Sequence, residues 1–247
     1  MDIATGRNFL RSNWEKRSEI ISDQQKNIPQ PPLEKSFDEG SKLYDLISPD
    51  EIDLGNVPLK KVIEKRKSRR KFKNVPLTIE ELSFLLWAIQ GVKEIVKNGY
   101  ATFRTVPSAG ARHPLETYLA VYNVEDLPKG LYRYLPLEHK LLLIEQVENL
   151  TEKIIDACMG QRFAGECAVT FIWTAIPYRT EWRYSILSHK VILLDAGHVC
   201  QNLYLASEAI NCGTCAIAAY DQQKMDELLG VDGYDELTIY VAPVGKI

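Results

Sequence analysis

The sequence predicts an α+β domain, and three features of the chain support that prediction. From about residue 59, segments with helical and with strand periodicity follow one another in a mixed order that contains few βαβ units. The run CAVTFIWTAI at 167–176 is continuously apolar and rich in β-branched residues, as in a strand covered on both faces. The apolar stretch 191–210 contains Asp195 and other polar residues, which is typical of a buried helix rather than a membrane span. We therefore expect a sheet and helices in two or three layers.

The predicted helices rest on capping signals and apolar spacing. Pro58 precedes a short helical stretch that ends in a basic cluster. Thr78 and Glu81 form a capping box, after which apolar residues recur at i, i+3, i+4 and i+7 until Gly91. The predicted helices span 59–65, 79–90, 150–159, 189–210 and 221–229.

The predicted strands are runs of β-branched and aromatic residues bounded by turn signals. They span 115–124, 130–134, 140–146, 167–176 and 237–244, with the second and third forming a hairpin or meander. The sequence contains no internal repeat.

Residues 1–57 differ from the rest of the chain. They contain the Pro-rich segment 28–32 and the turn-rich Ser48-Pro49-Asp50, and they show little sustained periodicity. Such a segment usually wraps a surface or a partner subunit instead of forming its own core. We therefore divide the chain into an extended N-terminal arm, 1–57, and a domain, 58–247.

Composition excludes several classes of protein. Hydrophobic residues make up 45% and charged residues 26% of the 247 positions, as in ordinary globular domains. The net charge of −3 argues against nucleic-acid binding. The first residues carry charges where a signal peptide needs an apolar core, so we expect a cytoplasmic protein with no membrane segment.

The cysteines and histidines do not form a recognisable metal or disulfide pattern. An odd number of cysteines, five, favours reduced thiols. Cys212 and Cys215 have CxxC spacing, but no second pair accompanies them, and we interpret them as two thiols packed at a helix end. Four scattered histidines do not make a metal cluster, and we expect no metal.

The sequence also lacks the common nucleotide and hydrolase motifs. G-x-G-x-x-G, the P-loop, G-x-S-x-G and H-E-x-x-H are all absent. An enzyme with this sequence would therefore depend on an organic cofactor held by other means.

Three segments could hold such a cofactor. The segment 60–73 has nine basic residues and one acid, and alternation would point Arg66, Ser68 and Arg70 the same way on an extended backbone toward a phosphate. A solvated helix face or an anion or nucleic-acid patch is the alternative. The stretches 104–116 and 213–221 are rich in small residues, so a flat ligand could lie on their main chain; an ordinary turn and a packing join are the alternatives.

Taken together, these segments resemble the FMN-dependent nitroreductase superfamily, in particular its SagB-type dehydrogenase branch. The resemblance covers the whole chain in the same order, including the Pro-rich leader. The matching motifs are RKSRRKF at 66–72, PSAGARHPLE at 107–116, LDAGHVCQNL at 194–203, Gly213-Thr214-Cys215 with Tyr220-Asp221, and APVGK at 242–246.

The resemblance implies a nitroreductase-like fold with a mostly antiparallel central sheet flanked by helices. It also implies an intertwined homodimer with one FMN in each of two clefts between the chains. Arg66, Lys67, Ser68 and Lys246 would face the FMN phosphate, and Arg70 would lie near the flavin N1–C2=O edge. Pro107, Ser108, Ala109 and Gly110 would line the ring, the backbone of Ala218 and Ala219 would approach N5, and Arg112 and His113 would rim the cleft.

The implied activity is transfer of hydride from transiently bound NAD(P)H to FMN, followed by ping-pong reduction of a small acceptor such as a nitroaromatic or a quinone. The alternative is a SagB-type FMN oxidase that acts on azolines in a peptide-modifying complex. Azoline-oxidising members carry a Lys-Tyr pair, for which this chain has Arg183-Tyr184. Arginine cannot serve as a general base, which makes azoline oxidation the less favoured reading, but Tyr184 could donate a proton. Many nitroreductases also carry Asn at the position of Ala111.

Overall fold

A seven-stranded antiparallel sheet crosses the computed structural model of the protein, which describes residues 2–247. The order of its strands is β1-β6-β5-β4-β7-β9-β8, and β2 and β3 form a separate two-stranded sheet. The strands are β1 (Leu43–Asp45), β2 (Val92–Val96), β3 (Ala101–Arg104), β4 (Leu115–Val121), β5 (Gly130–Leu135), β6 (Lys140–Glu145), β7 (Val169–Ala175), β8 (Cys212–Thr214) and β9 (Leu237–Lys246).

Helices cover both faces of the large sheet. On one face α3 and α6 pack together, and on the other α4 packs against α7. Successive residues of β4 point to the two faces of the sheet in turn. Leu119 lies in the core on the α3 and α6 face, and Tyr118 and Ala120 lie in the core on the α4 and α7 face. The helices are α1 (Ile3–Phe9), α2 (Leu59–Lys65), α3 (Ile79–Gln90), α4 (Leu150–Ala157), α5 (Tyr178–Tyr184), α6 (Ser188–Ala209) and α7 (Gln222–Leu229).

This architecture confirms the predicted α+β class and its antiparallel sheet flanked by helices. The capping box is present, since the Glu81 amide donates to Thr78 Oγ1 over 3.1 Å and Glu81 Oε2 accepts from the Thr78 amide over 2.9 Å. Strand β7 is buried along its whole length, as its apolar sequence predicts. None of the helices in residues 2–247 is long and apolar enough to cross a membrane.

The cysteine prediction is correct for oxidation state and wrong for location. All five cysteines are free thiols, but Cys212 is the first residue of β8 and does not lie at a helix end. Burial raises the pKa of Cys212 to about 12, so this thiol is protonated near neutral pH and unreactive. Across residues 2–247, no group of three or more His, Cys, Asp or Glu side chains is placed to hold a metal ion.

Part of the N-terminal segment is held on the sheet of its own chain. Buried Arg133 donates through Nη2 to the carbonyl oxygens of Lys35, over 2.8 Å, and Ser36, over 2.9 Å. Arg104 donates to the carbonyl oxygen of Leu33 over 3.3 Å, and Glu116 accepts from the Lys35 amide over 3.2 Å. Residues 33–36 therefore belong to the same packed unit as the sheet. That the arm also wraps a partner subunit stays a prediction.

Glu34 makes the attachment of this arm sensitive to pH. Burial raises the pKa of Glu34 to about 8, with the nearby Glu138 carboxyl adding to the shift and the hydrogen bond from the Leu137 amide opposing it. A folded-state pKa above the unfolded value means that stability is fully present below the unfolded pKa, about 4.3, and is lost as pH rises through about 8. Because glutamine stays uncharged, Glu34→Gln should be more stable than the unmodified protein at pH 9 and similar to it at pH 4.5. Urea unfolding at both pH values measures this.

Glu39→Gln is the matched control for this experiment, because Glu39 is exposed on the same segment. It should leave the pH dependence of stability unchanged. An unaltered pH dependence in Glu34→Gln would contradict the assignment to Glu34.

Candidate functional site

Arg66 and Ser68 meet the side chain of Tyr204 on α6. The Arg66 guanidinium lies over the Tyr204 ring, with Cζ 5.3 Å from the ring centroid. Ser68 Oγ is 3.0 Å from Tyr204 Oη. The backbone of Ser68 forms a parallel bridge with Thr214, the last residue of β8, which holds the segment near the C-terminal half of α6. Two of the predicted phosphate ligands are therefore side by side.

Arg69 points away from this pair. Its Nη2 donates to Glu208 Oε1 over 2.8 Å, and its amide donates to the Thr214 carbonyl over 2.9 Å. A Cβ on Gly213 would lie 2.5 Å from Arg69 Cδ, so the small residue is needed for this packing. Among the described residues, Arg66 and Lys67 have no carboxylate within 4.0 Å. The segment therefore presents two free cations beside Ser68.

Arg70 and Lys246 contact other parts of the chain. Arg70 was expected to point the same way as Arg66 and Ser68, but its guanidinium lies over the Phe163 ring, 5.8 Å from the centroid. The amine of Lys246 is paired with Glu81, the acidic residue of the capping box. The alternation therefore holds for the first two residues only, and the Lys246 amine is already occupied by a carboxylate.

Tyr204 also links the Arg66–Ser68 pair to the backbone at Ala216, two residues before the exposed Ala218 and Ala219. The Ala216 amide donates to Tyr204 Oη over 2.9 Å, and this is the hydroxyl that contacts Ser68. Farther along, Gln161 Nε2 donates to the Ala219 carbonyl over 2.9 Å. Sequence reasoning missed Tyr204. In the sequence, Tyr204 is a tyrosine one turn before Glu208 on a predicted buried helix, and nothing in that pattern indicates this contact.

Asp195 anchors the small-residue loop at 107–110. Ser108 Oγ donates to Asp195 Oδ2 over 2.6 Å, and the Ala109 amide lies 3.3 Å from both carboxylate oxygens. The same hydroxyl oxygen accepts from the His113 amide over 2.9 Å. Burial raises the pKa of Asp195, although these hydrogen bonds oppose the shift. An aspartate inside an apolar helix was the available signal for this role, since buried carboxylates need partners.

Position 110 requires glycine because of packing within the protein, and not because of the predicted contact with a flat ligand. Gly110 has φ of +61°, and a Cβ there would lie 2.6 Å from Tyr184 Oη and 2.7 Å from Arg183 Cδ. Arg183 and Tyr184 on α5 thus lie against this face of the loop. The missing side chain at Gly110 is explained by protein packing, and in the rest of the loop Pro107 is exposed and Ser108 and Ala109 are half-buried.

Arg112 and His113 do not rim a cleft, as was predicted for them. They are only 4% and 5% exposed. Arg112 donates through Nε to the Gly110 carbonyl over 3.1 Å and through Nη2 to the Tyr100 carbonyl over 2.9 Å, which locks the loop from behind. Burial, followed by the positive charge of Arg104, lowers the pKa of His113 to about 3, so this ring is neutral at pH 7.

Helix α6 holds the two halves of the candidate site apart. Asp195 anchors the loop, and Tyr204 contacts Arg66 and Ser68. These two residues are nine positions apart on the helix. Nine residues correspond to about 13.5 Å along the axis and about half a turn around it. The two anchors therefore lie on opposite sides of α6.

Comparison with known proteins agrees with the motifs and the fold. The family model described as the nitroreductase family matches residues 63–246. The chain belongs to this family. A nitroreductase-like protein of Methanocaldococcus jannaschii is 33% identical over 194 residues, which cover 78% of this chain and 93% of that protein.

Two further similarities bear on the nitroreductase-family assignment. The trifolitoxin-processing protein TfxB of Rhizobium leguminosarum bv. trifolii is 27% identical over 160 residues, which cover 62% of this chain and 43% of that protein. The crystal structure of a nitroreductase-like protein of Ralstonia eutropha aligns with a TM-score of 0.69 and 25% identity, over 89% of this chain and 98% of that one.

Removing the Asp195 carboxylate should release the 107–110 loop of this nitroreductase-family chain. Asp195→Ala leaves the Ser108 hydroxyl and the Ala109 amide without their acceptor, which should lower the free energy of unfolding by about 1–3 kcal/mol. Asp195→Asn, which keeps one acceptor oxygen, should lose less. Urea unfolding gives the stability, and limited proteolysis reports opening of the loop. Equal stability of Asp195→Ala and the unmodified protein would contradict the anchoring role.

Proposed function

We propose that the protein is an FMN-dependent oxidoreductase that takes hydride from NAD(P)H and reduces a nitroaromatic, a quinone or a similar flat acceptor in a ping-pong reaction. Membership of the nitroreductase family supports an oxidoreductase. The observation that carries the proposal further is the cation pair Arg66 and Lys67 beside Ser68. These cations have no carboxylate partner among the described residues, and Tyr204, which contacts Arg66 and Ser68, also accepts from the Ala216 amide.

The residues present fit the phosphate end of FMN. Guanidinium and ammonium groups form charge-assisted hydrogen bonds with phosphate, and the Ser68 hydroxyl can add one more. A carboxylate in this cluster would repel a phosphate, but Glu208, which lies one turn after Tyr204, is neutralised by Arg69 over 2.8 Å. The role of Lys246 is reduced in this proposal, because Glu81 already neutralises its amine.

When bound, FMN would accept a hydride from NAD(P)H and pass the reducing equivalents to the acceptor. The protein would bind and orient the partners. Pro107, Ser108 and Ala109 would support the ring, with Asp195 fixing their backbone. Arg70, which stacks on Phe163 without a carboxylate partner in the described residues, is the proposed cation beside the N1–C2=O edge. The exposed backbone of 218–219 would face the N5 edge.

We further propose that two copies of the chain assemble each site. The anchors Asp195 and Tyr204 lie on opposite sides of α6, so a second chain must bring a loop to each Arg66–Ser68 pair. Helix α6 also exposes Leu193 and Leu194, which are 45% and 53% accessible, and the Cβ position of Gly197 is open. Two exposed apolar residues followed about one turn later by a glycine fit close approach of a second helix. The N-terminal arm, 1–57, would add contacts to the partner.

Absorbance spectroscopy tests the cofactor and the donor. The protein purified with excess FMN should retain an oxidised-flavin spectrum after desalting, and anaerobic NADH or NADPH should bleach it. A colourless protein whose melting temperature does not respond to FMN would contradict the proposal.

The similarity to TfxB favours a second candidate, a SagB-type oxidase in a peptide-modifying complex. In that reaction Tyr184 would be the proton-transferring residue, and its hydroxyl lies 3.2 Å from Arg183 Nε. Arg183→Lys would restore the Lys-Tyr pair and should then increase oxygen consumption with an azoline peptide. Equal rates of oxygen consumption by Arg183→Lys and by the unmodified protein would count against this candidate.

A further inference from the structure

Beside the 107–110 loop, two phenol hydroxyls are bound by the same guanidinium. Arg183 donates through Nε to Tyr184 Oη and through Nη1 to Tyr100 Oη, both over 3.2 Å. Gln24 Nε2 also donates to Tyr100 Oη, over 2.8 Å. Each phenol oxygen therefore accepts, and its own O–H is left to donate to another group.

These donors border a small cavity. It has a volume of about 70 Å³ and lies between the N-terminal segment and α5. Arg17 lines it from one side and Arg183 with Tyr184 from the other. The ring of Trp14 packs edge-on against Tyr184 at 5.4 Å, and Arg17 lies 5.9 Å from the Trp14 ring centroid. The space is large enough for a carboxylate, since a water molecule takes about 30 Å³.

The cluster has positive charge and lacks a matching anion. In residues 2–247, neither Arg17 nor Arg183 has a carboxylate within 4.0 Å, and the same holds for Arg112 behind the loop. Burial lowers the pKa of Arg112, and the neighbouring Arg183 cation lowers it further. Arg17 is exposed and Arg183 is half-buried, so solvent screens their like charges only in part, and a bound anion would offset them.

Neighbouring acidic side chains do not neutralise the cluster, because Glu15 and Glu19, on the same short helix as Arg17, form no ion pair with it, and two others are paired with bases elsewhere. Glu181 on α5 is paired with His189 over 2.7 Å, and Asp23 is paired with Lys26 over 3.0 Å. The side-chain oxygen of Gln25 accepts from Ser22 over 3.1 Å. Arg17 and the Tyr184 hydroxyl thus line the cavity as hydrogen-bond donors without an acceptor among residues 2–247.

We infer that Arg17, Arg183 and the Tyr184 hydroxyl form a binding site for the carboxylate of an anionic, flat acceptor substrate. Arg183 and Tyr184 pack directly against Gly110, so a substrate anchored there would be held beside the loop that is proposed to support the flavin. Trp14 would cover its apolar part. That the bound anion is a substrate rests on the proposed function, whereas the anion site itself depends only on these side chains.

Binding of a matched pair of ligands tests the inference. 4-Nitrobenzoate and 4-nitrobenzamide have nearly the same shape and differ in charge. Calorimetric titration of the FMN-loaded protein should give at least tenfold tighter binding of the benzoate, since an ionic hydrogen-bonded contact contributes more than one factor of ten in affinity. The preference should fall at high salt.

Arg183→Gln and Arg17→Gln should each bring the ratio of the two dissociation constants close to one, and Arg183→Lys should restore part of it. Arg17 makes no side-chain hydrogen bond among the described residues, so its replacement tests the site without disturbing the phenols. Arg7→Gln, at an exposed arginine on α1, is the matched control and should keep the full preference. Equal binding of the two ligands to the unmodified protein, or an unchanged preference in Arg183→Gln and Arg17→Gln, would overturn the inference.

Flavin content measured on the same samples separates this inference from the proposed function. A protein that holds FMN and oxidises NAD(P)H but binds both ligands equally retains the function and lacks the anion site. A protein that holds no FMN but still prefers the benzoate, in an Arg183-dependent way, has the anion site without the proposed function.

Discussion

Replacing Arg66 with glutamate should weaken FMN binding on the order of 100-fold, because an ionic hydrogen bond is worth about 1.5–3 kcal/mol and the new carboxylate would repel the phosphate. Arg66 lies over Tyr204 and has no carboxylate partner in the described part of the chain, so its charge is available to a ligand. The Arg66 side chain is partly exposed, and its replacement should leave the fold intact.

Fluorescence titration of flavin-free protein with FMN measures this effect, and the melting temperature without FMN checks the fold. Lys60→Glu is the matched control: it reverses a charge on α2, in the same basic segment, at a side chain that is 87% exposed. The control should bind FMN like the unmodified protein. If both variants weaken binding equally, the basic segment acts through its overall charge, and Arg66 is not a specific ligand.

Replacing Glu116 with glutamine should lower the free energy of unfolding by about 3–5 kcal/mol, the range for breaking a buried ion pair from one side. Glu116 is 3% exposed, and its carboxylate lies 2.6 Å from Arg179 Nη2 and 3.9 Å from Arg133 Nε. Both arginines are also buried, so removal of the negative charge leaves two cations in the interior of the protein. The substitution keeps the shape of the side chain, and the loss is therefore electrostatic.

Urea unfolding monitored by tryptophan fluorescence measures this difference. Glu125→Gln, at an exposed position after β4, is the control and should change stability by less than about 0.5 kcal/mol. Because the Lys35 amide also donates to Glu116, protease cleavage within residues 33–36 should become faster in Glu116→Gln. A loss of less than about 1 kcal/mol would mean that the arginines find other partners, which would contradict the account of this core.

Local signals in the sequence predict the regular elements well. Helix α3 has the predicted bounds because its capping box and apolar spacing are both local. One local signal was overlooked: Asn98-Gly99, with φ of +53° and +89°, forms the turn between β2 and β3, and Asn-Gly is a strong hairpin dipeptide. That hairpin was therefore predictable.

Contacts between distant segments were not predictable in the same way. Arg112 looks like a surface residue in the sequence, but it is buried because its guanidinium stacks on the rings of Tyr100 and Trp182. Asp195 and Tyr204 acquire their roles only when α6 meets the loop and the basic segment. Family motifs identify such residues as a group, but the sequence does not say which side chain each one contacts.

Mixed pairs of chains test the central claim, that each FMN is held by Arg66 of one chain and by the 107–110 loop of another. Two variants are needed: Arg66→Glu, and Ala109→Trp, which fills the space in front of the loop. Each variant alone should hold little FMN. In a mixed pair carrying one variant per chain, one site combines both defects and the other combines the intact Arg66 with the intact loop.

Co-expression with two different affinity tags isolates this mixed pair, and its flavin content is read by absorbance. The account predicts about half of the FMN content of the unmodified protein. A mixed pair with no more FMN than either variant alone would show that both groups serve one site within a single chain, which would contradict the claim.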